Sequence, residues 1–136
     1  MKSKTTSKRR SKESKKSLRK EAWKEFRTFI FNRDTDDRGY CHCISCPKVA
    51  PAEEFQAGHF DHSKEKENYY NPKNVHAQCI QCNYYGGVKT VQQYTINLIR
   101  KYGIEEVEKL KNSKGKYWGV KGLKEIISFY KDKNAC

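Results

Sequence analysis

The sequence predicts an α+β fold: a small zinc-knuckle core flanked by an N-terminal helix and C-terminal helices, preceded by a disordered basic arm. Three observations predict it. Four of the six cysteines fall in two CxxC pairs, Cys43–Cys46 and Cys79–Cys82. Apolar residues recur at helical spacing before the first pair and after the second. Basic residues crowd the first twenty positions. The chain has 136 residues, of which 35% are hydrophobic. Its apolar core must be small, so another interaction is expected to help hold the fold. No run approaches the ~20 apolar residues of a membrane-spanning helix, and no apolar stretch follows the basic N-terminus as in an export signal.

The arm comes first. There are 29 Lys+Arg against 16 Asp+Glu, a formal net charge of +13. Ten basic side chains and the single acid Glu13 lie in residues 1–20, so +9 of that charge sits there. Residues 1–16 have no aliphatic or aromatic side chain except Met1, and nothing there offsets the entropy of ordering. A polyanion is the expected partner, with Lys8, Arg9 and Arg10 as phosphate contacts and affinity that falls with salt. A solubilising tail would have the same composition. Residues 17–136 are expected to form one domain.

Leu18, Ala22, Trp23, Phe26 and Ile30 predict a helix over about 17–33. Asp34 to Gly39 reads as a turn. Tyr40 to Cys46 carries the first knuckle, ended by Pro47. Glu53 to Phe60 is a strand candidate with Phe55, Ala57 and His59 on one face. Asp61 to Lys73 reads as a polar, basic loop, and Asn74 to Ala77 as a second strand. A helix begins near the second knuckle. Val91, Tyr94, Thr95, Leu98, Ile99 and Tyr102 mark another, capped by Gly103. Ile104, Val107 and Leu110 share a face of a short helix. Asn112 to Gly119 is a connection, and Leu123, Ile126, Ile127 and Tyr130 form a last helix.

Without an export signal, cysteines at this spacing point to metal rather than disulfides. Each CxxC turn converges two thiolates, and two turns complete a tetrahedral zinc shell of Cys43, Cys46, Cys79 and Cys82. Cys41 lies close enough to Cys43 to compete with it, and Cys136 is spare. The remaining chemistry lies between and just after the knuckles, in His59, Asn74 and Asn83. Their order and spacing resemble the HNH, or ββα-metal, nuclease motif with embedded knuckles. That resemblance implies that His59 is the general base, Asn74 fixes the loop that orients it, and Asn83 helps bind a catalytic ion. The residue types suit phosphodiester hydrolysis. Imidazole titrates near neutral pH, and a divalent cation neutralises charge on the phosphate and the leaving oxygen.

A closer resemblance is carried by Ala57-Gly58-His59-Phe60, by Asn74-Val75-His76-Ala77-Gln78-Cys79 and by Cys82-Asn83. Ala22 to Phe26 and Tyr102 to Val107 add to it. Together these are similar to the NinG (Rap) family of phage recombination proteins over roughly residues 20–130. The family implies an endonuclease cleaving branched DNA, a Holliday junction or D-loop, in the cytoplasm of a bacterial host. Structural Zn²⁺ and catalytic Mg²⁺ or Mn²⁺ are the expected cofactors. Branched or duplex DNA is the expected partner, and a homodimer would suit the cutting of symmetric strands.

One position departs from the HNH pattern. Gly58 stands where many such enzymes carry an Asp or His ligand, so the ligand must come from elsewhere or be water. Asp61, His62 and His76 are candidates, with Asp61 and His62 favoured because they follow His59 closely. Other readings of the same residues stand beside these. His59 also suits a zinc ligand or a packed strand histidine, and His76 a packing residue. Asn74 and Asn83 suit caps. Lys64, Lys66 and Lys73 suit phosphate contacts or a solvated face. Tyr69, Tyr70, Tyr84 and Tyr85 suit base stacking or core packing. The alternative function is a non-catalytic, zinc-dependent DNA- or RNA-binding protein.

Overall fold

The computed structural model describes residues 2–63 and 65–136, with side chains described from Lys15 onward. Of the expected DNA contacts, Lys8, Arg9, Arg10 and Lys64 therefore lie outside the described side chains, as does all of the expected arm but Lys15 and Lys16. Helix α1 spans Lys2–Asp34 and includes the helix expected over 17–33.

Within the expected domain the residues gather into two compact units. One joins the part of α1 up to Phe29 with Tyr117–Cys136, which contains α5 (Val120–Asn134). Its core is the stripe that helical spacing predicts. Ala22 and Phe26 of α1 and Leu123, Ile127 and Tyr130 of α5 are buried, while Ile126 is half-buried. The Tyr130 ring meets Phe26 edge-on at 5.0 Å and Phe29 at 5.2 Å. Lys131 pairs with Glu21 at 3.0 Å, and the Asn134 amide donates to the Glu25 carbonyl at 2.8 Å.

The other unit, Ile30–Lys116, carries the cysteines. It contains two antiparallel hairpins, β1 (Tyr40–His42) with β2 (Val49–Pro51), and β3 (Phe55–His59) with β4 (Val75–Cys79). The first hairpin is too short to read from alternation, and its turn is the first knuckle: the Cys43 N–H donates to the Lys48 carbonyl at 3.0 Å. In the second, Phe55 pairs with Cys79 and His59 with Val75. Helices α2 (Ile80–Tyr85), α3 (Val88–Tyr102) and α4 (Ile104–Lys111) follow. Gly103 separates α3 from α4 at φ +89°, a left-handed conformation that favours glycine, as expected of a C-cap. Tyr94, Leu98, Val107 and Leu110 form the α3–α4 core. Val91 and Ile104, assigned by spacing to buried faces, are exposed.

The segment read as a plain loop, Asp61 to Lys73, holds two short 3-10 turns, Glu67–Tyr70 and Pro72–Asn74. Asparagines organise it. Asn71 Oδ1 accepts from the Lys73 N–H, Asn71 Nδ2 donates to Asn68 Oδ1, and buried Asn68 donates to the Leu110 carbonyl at 2.7 Å. Each amide here replaces a water that the buried backbone would otherwise need.

The outer edge of β4 is closed from the end of α1. Arg33 donates to the Pro72 and Val75 carbonyls at 2.8 and 2.7 Å. Asp34 accepts from the Ala77 N–H at 2.8 Å and pairs with Arg33 Nε at 2.6 Å. The Ile44 N–H completes the edge at the Ala77 carbonyl, 3.1 Å away. An edge strand would otherwise leave these groups open to pairing with another chain. Burial raises the Asp34 pKa, but the Arg33 hydrogen bond, its charge and the Ala77 N–H outweigh that and hold the carboxyl below its ordinary value.

A carboxylate with a depressed folded pKa adds stability above its unfolded value and loses it as pH falls through the folded one. Asp34→Asn is therefore expected to cost on the order of 3 kcal/mol at pH 7. The gap to wild type should close below the ordinary carboxylate range. Urea unfolding at neutral and acid pH checks both statements.

Candidate functional site

The thiols of Cys43, Cys46, Cys79 and Cys82 all lie within 4.8 Å of one another. Cys46 and Cys79 are 3.7 Å apart at sulfur. Four sulfurs on a tetrahedral zinc ion stand about 3.8 Å apart, given Zn–S bonds of about 2.3 Å. The two hairpins supply them: Cys43 and Cys46 from the β1–β2 turn, Cys79 from the end of β4, and Cys82 from the first turn of α2. All-sulfur donors suit a soft cation such as zinc. Backbone N–H groups point at the sulfurs, Cys79 N to Cys43 Sγ at 3.3 Å and Cys82 N to Cys79 Sγ at 3.5 Å, as outer partners that stabilise thiolate.

Burial opposes ionisation of Cys43, but hydrogen bonds from the Cys79 N–H and from Ser45 outweigh it and bring the thiol down to about 7. Burial, with neighbouring thiols, pushes Cys46 up to about 12 and Cys82 upward as well. Thiolate is thus favoured at Cys43 and disfavoured at Cys46 and Cys82, where a bound cation would supply charge that favours it. The geometry and the donor chemistry fit such an ion. Cys41 is not in the set. Its side chain is fully buried in the core and meets Thr35 Oγ1 at 3.3 Å. Cys136 is exposed.

His59 is half-buried at the end of β3. Its Nε2 lies 3.0 Å from the Tyr69 carbonyl, and its ring stacks on Tyr69 at 4.5 Å and 20°. A carbonyl only accepts, so Nε2 carries the proton and Nδ1 is the basic nitrogen. Asn74, fully buried, ties down the chain that follows His59. Its Oδ1 accepts from the Asp61 N–H at 2.9 Å, its Nδ2 donates to the Asp61 and Asn68 carbonyls at 3.0 and 3.1 Å, and its carbonyl accepts from the Phe60 N–H at 2.8 Å.

The structure thus sets Asn74 against the backbone of Asp61, two residues after His59. The Asp61 carboxylate accepts from the Ser63 N–H and pairs with Lys66 at 3.1 Å. His62 is exposed. Asn83, on α2, donates to Gln56 Oε1 at 2.8 Å. Gln56 lies three residues before His59, so strand alternation puts their side chains on opposite faces of β3. Lys73 is held by Glu106 at 3.1 Å. Among the described residues, the four cysteines are the one group of three or more His, Cys, Asp or Glu ligand atoms gathered this closely.

Three further features join residues distant in sequence. The Arg33–Asp34 clamp looked like the end of a helix and a turn. His76 is buried between two tyrosines: Tyr102 Oη is 2.8 Å from Nε2 and Tyr94 Oη 3.4 Å from Nδ1, while Tyr94 donates to the Gly58 carbonyl at 2.7 Å. One tautomer, protonated on Nδ1, satisfies all three contacts. Burial first, then Arg33 and Lys101, bring His76 down to about 3, so it stays neutral. The third feature is Gln78. A Cβ on Gly58 would lie 2.1 Å from Gln78 Oε1 and 3.0 Å from Gln78 Cβ. The Gln78 amide fills the space where an HNH ligand side chain would begin, and it donates to Ser45 at 2.9 Å.

Comparison with known proteins agrees with the motifs. The family model described as "Bacteriophage Lambda NinG protein" matches residues 1–135. The chain belongs to the NinG family. It is 29% identical over 116 residues to "Protein ninG" of Escherichia phage lambda, an alignment covering 84% of this chain and 54% of that protein. This NinG-family chain thus spans about half the length of the curated relative it matches. No solved structure matches it. Among its described residues, no helix is long and apolar enough to cross a membrane.

Two outcomes follow. Wild type and Cys41→Ala should each hold one zinc per chain by elemental analysis, whereas Cys43→Ser or Cys82→Ser should lose it. Gly58→Ala should cost about 1–3 kcal/mol through overpacking, and less in a Gln78→Ala background, as a double-mutant cycle would measure.

Proposed function

We propose that this NinG-family chain is a metal-dependent endonuclease of phage recombination, hydrolysing phosphodiesters in branched DNA such as a Holliday junction or D-loop. The observation that supports it most is the held histidine. His59 has its Nε2 proton committed to the Tyr69 carbonyl, its ring supported by Tyr69, and the loop beyond it fixed by buried Asn74. Such a histidine is pre-positioned to act as a base through Nδ1. Nδ1 takes a proton from water, the water oxygen attacks phosphorus, and the 3′ oxygen leaves. A structural zinc on the four cysteines would keep β4 and α2 in register with the first hairpin.

Mg²⁺ keeps several waters and needs only one or two protein oxygens beside the phosphate. The Asp61 carboxylate, two residues after His59, would supply one and the exposed His62 a further donor, whereas Asn83, bonded to Gln56 on the other face of β3, is turned away from that position. When bound, the cation would neutralise charge on the phosphate and the leaving oxygen.

One observation favours a second reading, a zinc-dependent DNA- or RNA-binding protein without catalysis. Gln78 occupies the space at Gly58 from which the motif's first metal ligand would project. A labelled four-way junction, incubated with Mg²⁺ or Mn²⁺, separates the two. The endonuclease reading expects nicking, lost by ~100-fold or more in His59→Ala with binding unchanged. Tight binding without nicking in any divalent ion favours the second reading, and nicking by His59→Ala at the wild-type rate removes His59 as the base.

A further inference from the structure

The six tyrosines between β3 and α4 divide into two groups. Tyr69 stacks on His59, Tyr70 is buried, and Tyr94 and Tyr102 enclose His76. Tyr84 and Tyr85, at the end of α2, are 64% and 82% exposed. Their rings stand 6.3 Å apart at 59°. Val88 and Val91, on the first turn of α3, are also exposed. Single exposed apolar side chains are ordinary, but four gathered within eight residues are not.

The ledge is held firmly. The Gln56 amide donates to the Tyr84 hydroxyl at 3.1 Å, and the same Gln56 accepts from Asn83. Cys82, two residues before Tyr84, belongs to the four-thiol cluster. Rigid aromatic area of this kind binds with little loss of conformational entropy.

Charge indicates what would cover it. From Asn68 to Ile104 the sequence has no Asp or Glu; it has Lys89, directly after Val88, then Arg100 and Lys101, while Lys73 is paired with Glu106. An anionic partner suits that stretch. A second copy of the chain would set like charge against like charge. A polyanion that also offers flat apolar faces is a nucleic acid with unpaired bases, since a duplex buries its base faces in the stack.

We infer that Tyr84 and Tyr85 form a stacking platform for unpaired bases at the branch of a DNA substrate. The inference rests on the branched-DNA reading above and deepens it by naming the feature through which branched DNA would be told from duplex.

The test is fluorescence anisotropy with the full chain, at fixed salt and without added divalent ion. The probes are a forked DNA with single-stranded arms and a fully paired duplex carrying the same number of phosphates. Wild type and Tyr85→Phe are expected to bind alike. Tyr84→Ser/Tyr85→Ser and Tyr84→Leu/Tyr85→Leu are expected to lose about 10-fold or more on the fork, the size of at least one lost base stack, and to bind duplex as wild type does. The leucine pair keeps apolar bulk, and unchanged zinc content in both shows that α2 is intact. No loss, an equal loss on both DNAs, a tighter grip on single-stranded RNA of the same sequence, or a change in sedimentation mass alone would overturn the platform. Binding needs no cleavage, so the nuclease reading fails separately: fork selectivity without nicking upholds the platform and discards only catalysis.

Discussion

Four sulfur atoms converging on one point are the constraint on which the Ile30–Lys116 unit depends. They come from the turn of one hairpin, the end of a strand in the other, and a helix of six residues. The cluster around them is built from Cys41, Cys43, Ala50, Phe55, Ala77 and Cys79, mostly small side chains that bury little apolar area. A core of that size is marginal without a staple. A structural metal is a common staple in small domains, and its binding energy is folding energy. A metal on these thiols would also hold in place a six-residue helix that is too short to stand alone.

The hairpin carries the thiol cluster at one end and His59 at the other: Phe55 faces Cys79, and His59 faces Val75. Gln78, one residue before the ligand, spans to Ser45 in the first knuckle and closes the space over Gly58. Asn83 follows Cys82 directly and reaches back to Gln56. On the far edge of β4, Arg33 and Asp34 take the place of a neighbouring strand. The hairpin carrying His59 is thus fixed on both sides by polar contacts rather than by a large apolar core.

The legible part of this was whatever depended on local spacing. The CxxC pairs announced the four-thiol set because two residues between cysteines leave one turn geometry that converges sulfurs. Helical periodicity located α1, α3, α4 and α5, and Gly103 marked a helix end through its positive φ. The Asn74 side chain bonds the backbone of Asp61, two residues after His59. Contacts between distant residues were not legible. Nothing local tells that Arg33 and Asp34 pair with residues about forty positions later, or that Gln78 covers Gly58. The hairpin β1–β2 has three residues per strand, too few to alternate visibly. Val91 and Ile104 misled because spacing assigns a face, not what the face meets. Cys41 could be set apart from Cys43 only once its neighbour Ala50 on β2 fixed the strand register.

The central claim is that Cys43, Cys46, Cys79 and Cys82 hold one zinc ion between them. Zinc-edge X-ray absorption on the purified full chain tests it most directly. Four sulfur neighbours at about 2.3 Å, with no nitrogen or oxygen in the shell, are the expected result. A shell containing imidazole nitrogen, or fewer than four sulfurs, would contradict it.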